Sequence, residues 1–208
     1  ANRFRYRDSD GRGAVERFLK KYFLNVRTIA DLSDIFLLHF KELIDPIKSP
    51  KKPKVDQNGL AVSNKVIDVQ DADIFEIDPL NLLRIFKEAQ DNQCRLSSRA
   101  LRVVRAHAKL LTGPYRVKRE AGVIFLDILR SSRGVTSVLR QMHETGVLGK
   151  FCPDFRRITG HGQFDRYHHY TVDAHTITAV SYLKDFGPIV AGKAHRAFTL
   201  SLMKNLER

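Results

Sequence analysis

Ala14–Ile44 reads AVERFLKKYFLNVRTIADLSDIFLLHFKELI, and the spacing of its apolar residues sets the fold class. Val15, Phe18, Leu19, Tyr22, Phe23, Val26, Ile29, Phe36, Leu37, Phe40 and Ile44 return every three or four positions, with Ser33 on the same stripe and charges between. That is the period of a helix with one apolar face, so the stretch predicts one long amphipathic helix, or two in line. It has to end at Asp45-Pro46, because proline lacks a backbone donor and biases the residue before it away from helix.

The same reading carries along the chain. Lys48-Ser-Pro-Lys-Lys-Pro-Lys54 is a charge run broken by prolines and without aromatics to stack bases, which is the composition of a solvated linker. Leu60-Ala-Val62 and Val66-Ile-Asp-Val69 flank turn residues at 63–65 and predict a short hairpin, which must lean on helices to be stable. Asp78-Pro79 is a helix start with Asp78 as N-cap, and Leu80, Leu83, Phe86 and Ala89 make its inner face. Ser97 or Ser98 caps a further helix with Leu101, Val104, Ala108 and Leu111 inside, stopped by Gly113-Pro114. Two more are predicted. One spans about 118–130, with Ala121, Ile124, Phe125, Ile128 and Leu129 inside; the other spans about 136–145, with Val138, Leu139 and Met142 inside. Gly146 suits a left-handed C-cap. Thr171 caps a helix whose stripe is His175, Ala179, Tyr182 or Leu183, and Phe186, stopped by Gly187-Pro188, and a last helix covers about 189–206. The fold class is therefore mostly α, a multi-helix bundle with one short β-hairpin.

Composition narrows the function classes. The 208 residues, 43% hydrophobic, can bury a core. No run approaches the roughly 18 apolar residues of a membrane span, since the most hydrophobic stretch, Ile35 to Phe40, is interrupted by His39. Ala1-Asn-Arg-Phe-Arg-Tyr-Arg7 has no apolar region behind it and is not a secretory signal. Cys94 and Cys152 are too few for a disulfide framework and lack zinc spacing. A soluble, cytoplasmic chain is expected. The net charge of +13 calls for phosphates, acidic protein faces or anionic lipid without choosing among them.

His161, His168, His169 and His175 fall within fifteen positions, and imidazole serves both as metal ligand and as general base. None of these spacings is a helical pair with a Glu between, and no accompanying carboxylate set stands out. Asp71-Ala-Asp73 could hold two metal ions on reacting phosphates but lacks a preceding Gly-Ser loop, and its place suits a polar connector. Asp8-Ser-Asp-Gly11 opens like a calcium loop without the later ligands. Phosphate-loop, dinucleotide and nucleophile-elbow motifs are absent.

Five segments carry a resemblance. Ala14-Val-Glu-Arg-Phe-Leu-Lys-Lys-Tyr-Phe23, Asp73-Ile-Phe-Glu-Ile-Asp-Pro-Leu-Asn-Leu-Leu-Arg-Ile-Phe86, Phe125-Leu-Asp-Ile-Leu-Arg-Ser-Ser-Arg-Gly134, Gly146-Val-Leu-Gly-Lys-Phe-Cys-Pro-Asp-Phe155 and Tyr167-His-His-Tyr-Thr-Val-Asp-Ala-His-Thr-Ile177 together resemble the central region of bacterial bifunctional PII uridylyltransferase/uridylyl-removing enzymes. The resemblance implies a parent with a nucleotidyltransferase domain, a helical middle, an HD phosphohydrolase-type domain and two glutamine-sensing ACT domains. Such a parent moves UMP from UTP onto a tyrosine of PII when glutamine is scarce and removes it when glutamine is abundant, with Mg²⁺ or Mn²⁺ as cofactor.

On this resemblance residues 1–45 are the helix after the transferase core, 46–57 a linker, 58–170 the helical middle with its hairpin, and 171–208 the first helices of a truncated HD domain. His175 matches the first metal-binding histidine of that domain. The His-Asp pair and later Asp that should follow are absent, as are the Gly-Ser and Asp-x-Asp elements of the transferase. No complete catalytic site is expected here, no metal tightly bound, and no turnover by this chain alone. Two other classes stand beside this reading. One is a nucleic-acid-binding helical module of a tRNA-nucleotidyltransferase-like protein, motivated by the charge; the other is a hydrolase holding Zn²⁺ or Mn²⁺ on the histidines from 161 to 175.

Overall fold

The computed structural model describes residues 4, 6–8, 13–46, 54–55, 59–162 and 171–190, those at 54–55 and 184–190 by backbone alone. The first helix, α1, is continuous over Ala14–Ile44 and ends at Asp45, whose N–H bonds the Lys41 carbonyl. Its N-terminus is closed by Asp8, which accepts the Ala14 amide at 2.6 Å; the acidic 8–11 stretch begins by capping a helix.

The hairpin is present and larger than the sequence suggests. Strands β2 (Leu60–Ser63) and β3 (Val66–Val69) are antiparallel, joined by Asn64 and Lys65 at φ +48° and +60°. Two successive positive φ values give the twist that hairpin strands need. Short β1 (Lys54–Val55) adds antiparallel to β2, and β4 (Arg95–Leu96) adds parallel to β3, so the order is β1-β2-β3-β4. Lys54 and Val55 of the expected linker thus pair into the sheet. Two-residue strands carry no alternation, which is why neither stood out.

Between β3 and β4 run a single turn, α2 (Ile74–Ile77), and α3 (Asn81–Asp91). Asp78 is extended and its carboxylate takes the Leu80 amide at 3.0 Å, so it caps as expected, while regular helix begins after one tighter turn through Pro79 and Leu80. The four expected inner residues, Leu80 just before α3 and Leu83, Phe86 and Ala89 within it, are buried, and Leu82 and Ile85 are too. Ser97 caps α4 (Ser98–His107), its hydroxyl accepting the Ala100 amide at 2.9 Å, and a 3-10 turn follows over Ala108–Leu110. Gly113-Pro114 opens a new turn, α5 (Gly113–Arg116), where the sequence predicted a stop; proline is tolerated in a first turn because its amide would be unbonded anyway.

Helices α6 (Arg119–Arg130) and α7 (Val135–Glu144) follow, burying Ala121 and Ile128, and Val138, Leu139 and Met142. Gly146, at φ +82°, turns the chain after α7. Two short helices unmarked in the sequence, α8 (Val147–Phe151) and α9 (Pro153–Ile158), come next, then α10 (Val172–Val190). The Gly187-Pro188 stop is not observed, since the backbone of α10 runs on through it. The expected last helix lies almost wholly outside the described residues.

One continuous apolar core, drawn from Leu60 through Leu148, joins β2, β3, α3, α4, α6, α7 and α8. α1 is different. Its only buried residue is Ile35, and most of the stripe expected to face a core is open: Ile29 is 66% exposed, Phe36 59%, Leu37 64% and Ile44 83%. The reason is that from Arg27 to Glu42, apart from the buried Ile35, α1 meets its neighbours through polar residues. Glu42 reaches the N-terminus of α4 beside the Ser97 cap, accepting the Ser98 amide at 3.2 and 3.3 Å and the Arg95 guanidinium at 2.6 Å, while His39 Nδ1 lies 3.3 Å from the Ser98 hydroxyl. Burial pushes the Glu42 carboxyl up, and these bonds outweigh it and hold it below the usual range.

Candidate functional site

The sequence points to His175, and what positions it lies two residues earlier. Asp173, in the first turn of α10, is 2% exposed and turns inward, whereas His175 is exposed. Asp173 Oδ2 is 2.7 Å from Nε2 of His143 on α7, and Oδ1 accepts the Gly160 amide at 3.2 Å. Arg27 of α1 stands 3.6 Å from the same carboxylate and also donates to the His143 carbonyl. The His143 ring meets Phe155 of α9 edge-on at 5.0 Å. One buried carboxylate therefore ties together α1, α7, α10 and the loop after α9.

Burial raises the Asp173 carboxyl, but the bonds from His143 and Thr171, the His143 charge and the Gly160 amide prevail and bring its pKa down to about 2. The network extends along α1. Asp31 lies 3.5 Å from both Arg27 and Arg105, and Arg105 donates to the Glu144 carbonyl at 2.8 Å. Asp31 is held above the ordinary carboxylate range by burial, against the pull of the two arginines. Glu144 is raised by burial and by Asp31. Burial lowers Arg27 despite Asp31 and Asp173.

Among the described side chains of α10 the buried face is thus Asp173 and Ile177, with Val180 partly covered. The expected stripe of His175, Ala179, Tyr182 and Leu183 points the other way, with Tyr182 and Leu183 each 61% exposed; Phe186 has no described side chain. This helix is apolar on several sides, so periodicity alone could not choose between two stripes. His143 was missed although Leu139 and Met142 beside it mark an inner face. Asp173 gave no signal, because an acidic residue in a first turn is ordinary helix chemistry.

The histidine cluster is not assembled as one site. His161 sits half-buried in the loop after α9, its carbonyl taking the Val172 amide at 2.9 Å, while His168 and His169 lie outside the described residues. Among the described residues no three His, Cys, Asp or Glu side chains group to hold a metal ion. The donors described here therefore do not by themselves fit a divalent cation, with His175 exposed and Asp173 spent on His143. Asp71 and Asp73 form the connector that was expected, Asp71 accepting the Asp73 amide at 3.0 Å. Cys94 and Cys152 are free. No described helix is long and apolar enough to cross a membrane.

Comparison with known proteins converges on one family. Residues 60–151 match the model of the Uridylyltransferase GlnD third domain, almost the same span as the apolar core. The chain is 35% identical over 191 residues to a bifunctional uridylyltransferase/uridylyl-removing enzyme of Novosphingobium aromaticivorans, covering 88% of this chain and 21% of that protein. It is 36% identical over 197 residues to the protein of the same name from Nitrobacter winogradskyi, covering 89% and 21%. The chain thus spans about a fifth of the length of these curated relatives. No solved structure matches it. By its sequence the chain matches the central region of the bifunctional uridylyltransferase/uridylyl-removing enzyme family, with that family's third domain at residues 60–151.

Proposed function

We propose that this chain is the frame of a cytoplasmic enzyme that attaches UMP from UTP to the PII protein and removes it again under the control of glutamine. The observation that carries the reading is that relatives named for both activities align with 88–89% of the chain at 35–36% identity. The geometry agrees with a connecting role. The core of residues 60–148 holds α1 on one side and the start of α10 on another, and the Arg27–His143–Asp173 contacts fix the two helices relative to each other. In this reading α1 follows the transferase core, and α10 begins the hydrolytic domain. His175 would be one ligand of a Mg²⁺ or Mn²⁺ site whose other donors belong elsewhere in the parent. The chain alone turns over nothing.

Two assays test this. Incubated with UTP, Mg²⁺ and PII, and separately with uridylylated PII, the chain should leave both proteins unchanged while a full-length relative modifies and restores them. Substituted for the matching segment of the Nitrobacter winogradskyi relative, it should preserve both activities. Turnover by the isolated chain, or a folded chimera without either activity, overturns the proposal.

A further inference from the structure

The first half of α1 and the loop after α9 form a cleft that the network around Asp173 does not use. It is open to solvent, has a volume of about 750 Å³ and is lined by Arg7, Arg17, Lys20, Lys21 and His161, with Glu16 as the acidic residue of the wall. Arg17, Lys20 and Lys21 are three and four positions apart, so the helix aims all three toward one side. Arg17 donates to the Arg7 carbonyl at 2.7 Å and Lys20 to the Arg157 carbonyl at 3.0 Å, which hold the two walls in register.

The position of His161 is built in by its neighbours. Gly160 has φ +67°, and a Cβ there would lie 2.9 Å from Leu24 Cγ; one on Gly162 would lie 2.7 Å from the Phe23 ring. A larger residue at either position would force Leu24, Phe23 or the loop itself to shift, so the two glycines allow the loop its close approach to α1. The loop is pinned on its other side by the Gly160 amide on Asp173 and by the His161 carbonyl on Val172.

Beside the cations stands an aromatic ladder. Phe4 lines the cleft, is 63% exposed, and stacks on Phe18 at 5.2 Å with the planes 12° apart; Phe18 in turn stacks on Tyr22 at 6.3 Å. Tyr6, also in the lining, meets Phe18 edge-on. Cations that neutralise phosphates next to an open ring face that accepts a base are the two halves of nucleotide recognition. The volume is that of a small-molecule site, for which about 300–1,000 Å³ is usual. An acidic peptide would leave the ring face unused.

We infer that this cleft binds a nucleoside triphosphate, its phosphates on Arg7, Arg17, Lys21 and His161 and its base on Phe4. With the function proposed above, on which this step rests, the nucleotide is UTP. The test is calorimetric titration of this chain with UTP, tripolyphosphate and tRNA at about 150 mM salt, a strength that screens weak surface attraction. The Arg17→Glu/Lys21→Glu variant changes two exposed residues and should weaken UTP binding at least tenfold. The Lys109→Glu/Arg116→Glu variant, with the same change of net charge at exposed positions outside the cleft lining, should weaken it less than twofold. Phe4→Ala should weaken UTP but not tripolyphosphate, and circular dichroism melts confirm that each variant is folded.

Absence of UTP binding, equal losses in the two charge variants, tripolyphosphate binding as tight as UTP, or binding of tRNA alone each overturns the inference. The chimera separates this failure from that of the family role. Both activities retained without UTP binding to this chain removes the cleft and leaves the frame; UTP binding with a folded, inactive chimera does the reverse.

Discussion

α3 and α1 are both strongly patterned helices, yet one is enclosed and the other is open. In α3 seven of the eleven residues from Asn81 to Asp91 are buried, including the polar Asn81 and Gln90. In α1 one residue of thirty-one is buried, and the apolar stripe that predicted the helix is exposed for most of its length. Periodicity reports that a helix has an apolar side; it does not report what covers that side. Between Arg27 and Glu42, what fastens α1 is instead a row of charged contacts, whose residue types would suit a solvated face equally well.

The largest test of this contrast is Phe86→Ala in α3. Phe86 is fully buried in the core, so the change should cost ~3–5 kcal/mol in denaturant unfolding. A loss under ~1 kcal/mol would mean that α3 is no better enclosed than α1.

Next comes acid, which acts on the polar fastening. The Asp173 pKa falls from an ordinary 3.8 to about 2 on folding, so the folded state releases this proton more readily. Its stabilisation is complete above about pH 4 and is lost as the pH drops through 2. Each tenfold change in proton affinity is worth about 1.4 kcal/mol, so this carboxylate contributes roughly 2 kcal/mol in all. Asp31 and Glu144 are shifted up and act in the opposite direction, relieving their burial as they protonate. The Asp173 contribution is therefore read as the difference between the chain and Asp173→Asn across this range. Equal pH profiles for the two would remove the carboxylate from the account.

A smaller effect is expected of Glu42→Ala, which opens the N-terminus of α4 and frees Arg95; helix caps are worth about 1 kcal/mol. Should the loss be negligible, α1 is held by something other than its polar side. Smallest is Phe36→Ala on the open stripe, expected within about 0.5 kcal/mol in the isolated chain. A cost above ~2 kcal/mol would show that this ring is covered in solution.

How far the sequence reached follows the same division. α3, α4, α6 and α7 each bury a stripe in the core of residues 60–148, and period and caps located them: Asp78, Ser97 and Gly146 act at the turns where their chemistry placed them. Hairpin strands β2 and β3 were visible because four residues are enough to alternate, and β1 and β4 were not because two are too few. The site was less accessible. His175 was found through resemblance, while the pair that seats its helix joins residues thirty apart and has no local pattern to betray it. The cleft on α1 was hidden for another reason. Its cations are spread among many in a chain of net charge +13, and only the fold sorts Arg17, Lys21 and His161 from the rest.

The open stripe of α1 also decides how this chain behaves in a test tube. Two forces govern whether copies of it meet: repulsion between molecules of like charge, and the tendency of exposed Ile29, Phe36, Leu37 and Leu43 to leave water together. Salt shortens the reach of the first, to about 3 Å at 1 M, and leaves the second intact. Sulfate strengthens it. The isolated chain should stay dispersed in dilute buffer and cluster as salt is added, so the sparing conditions for handling it are dilute ones.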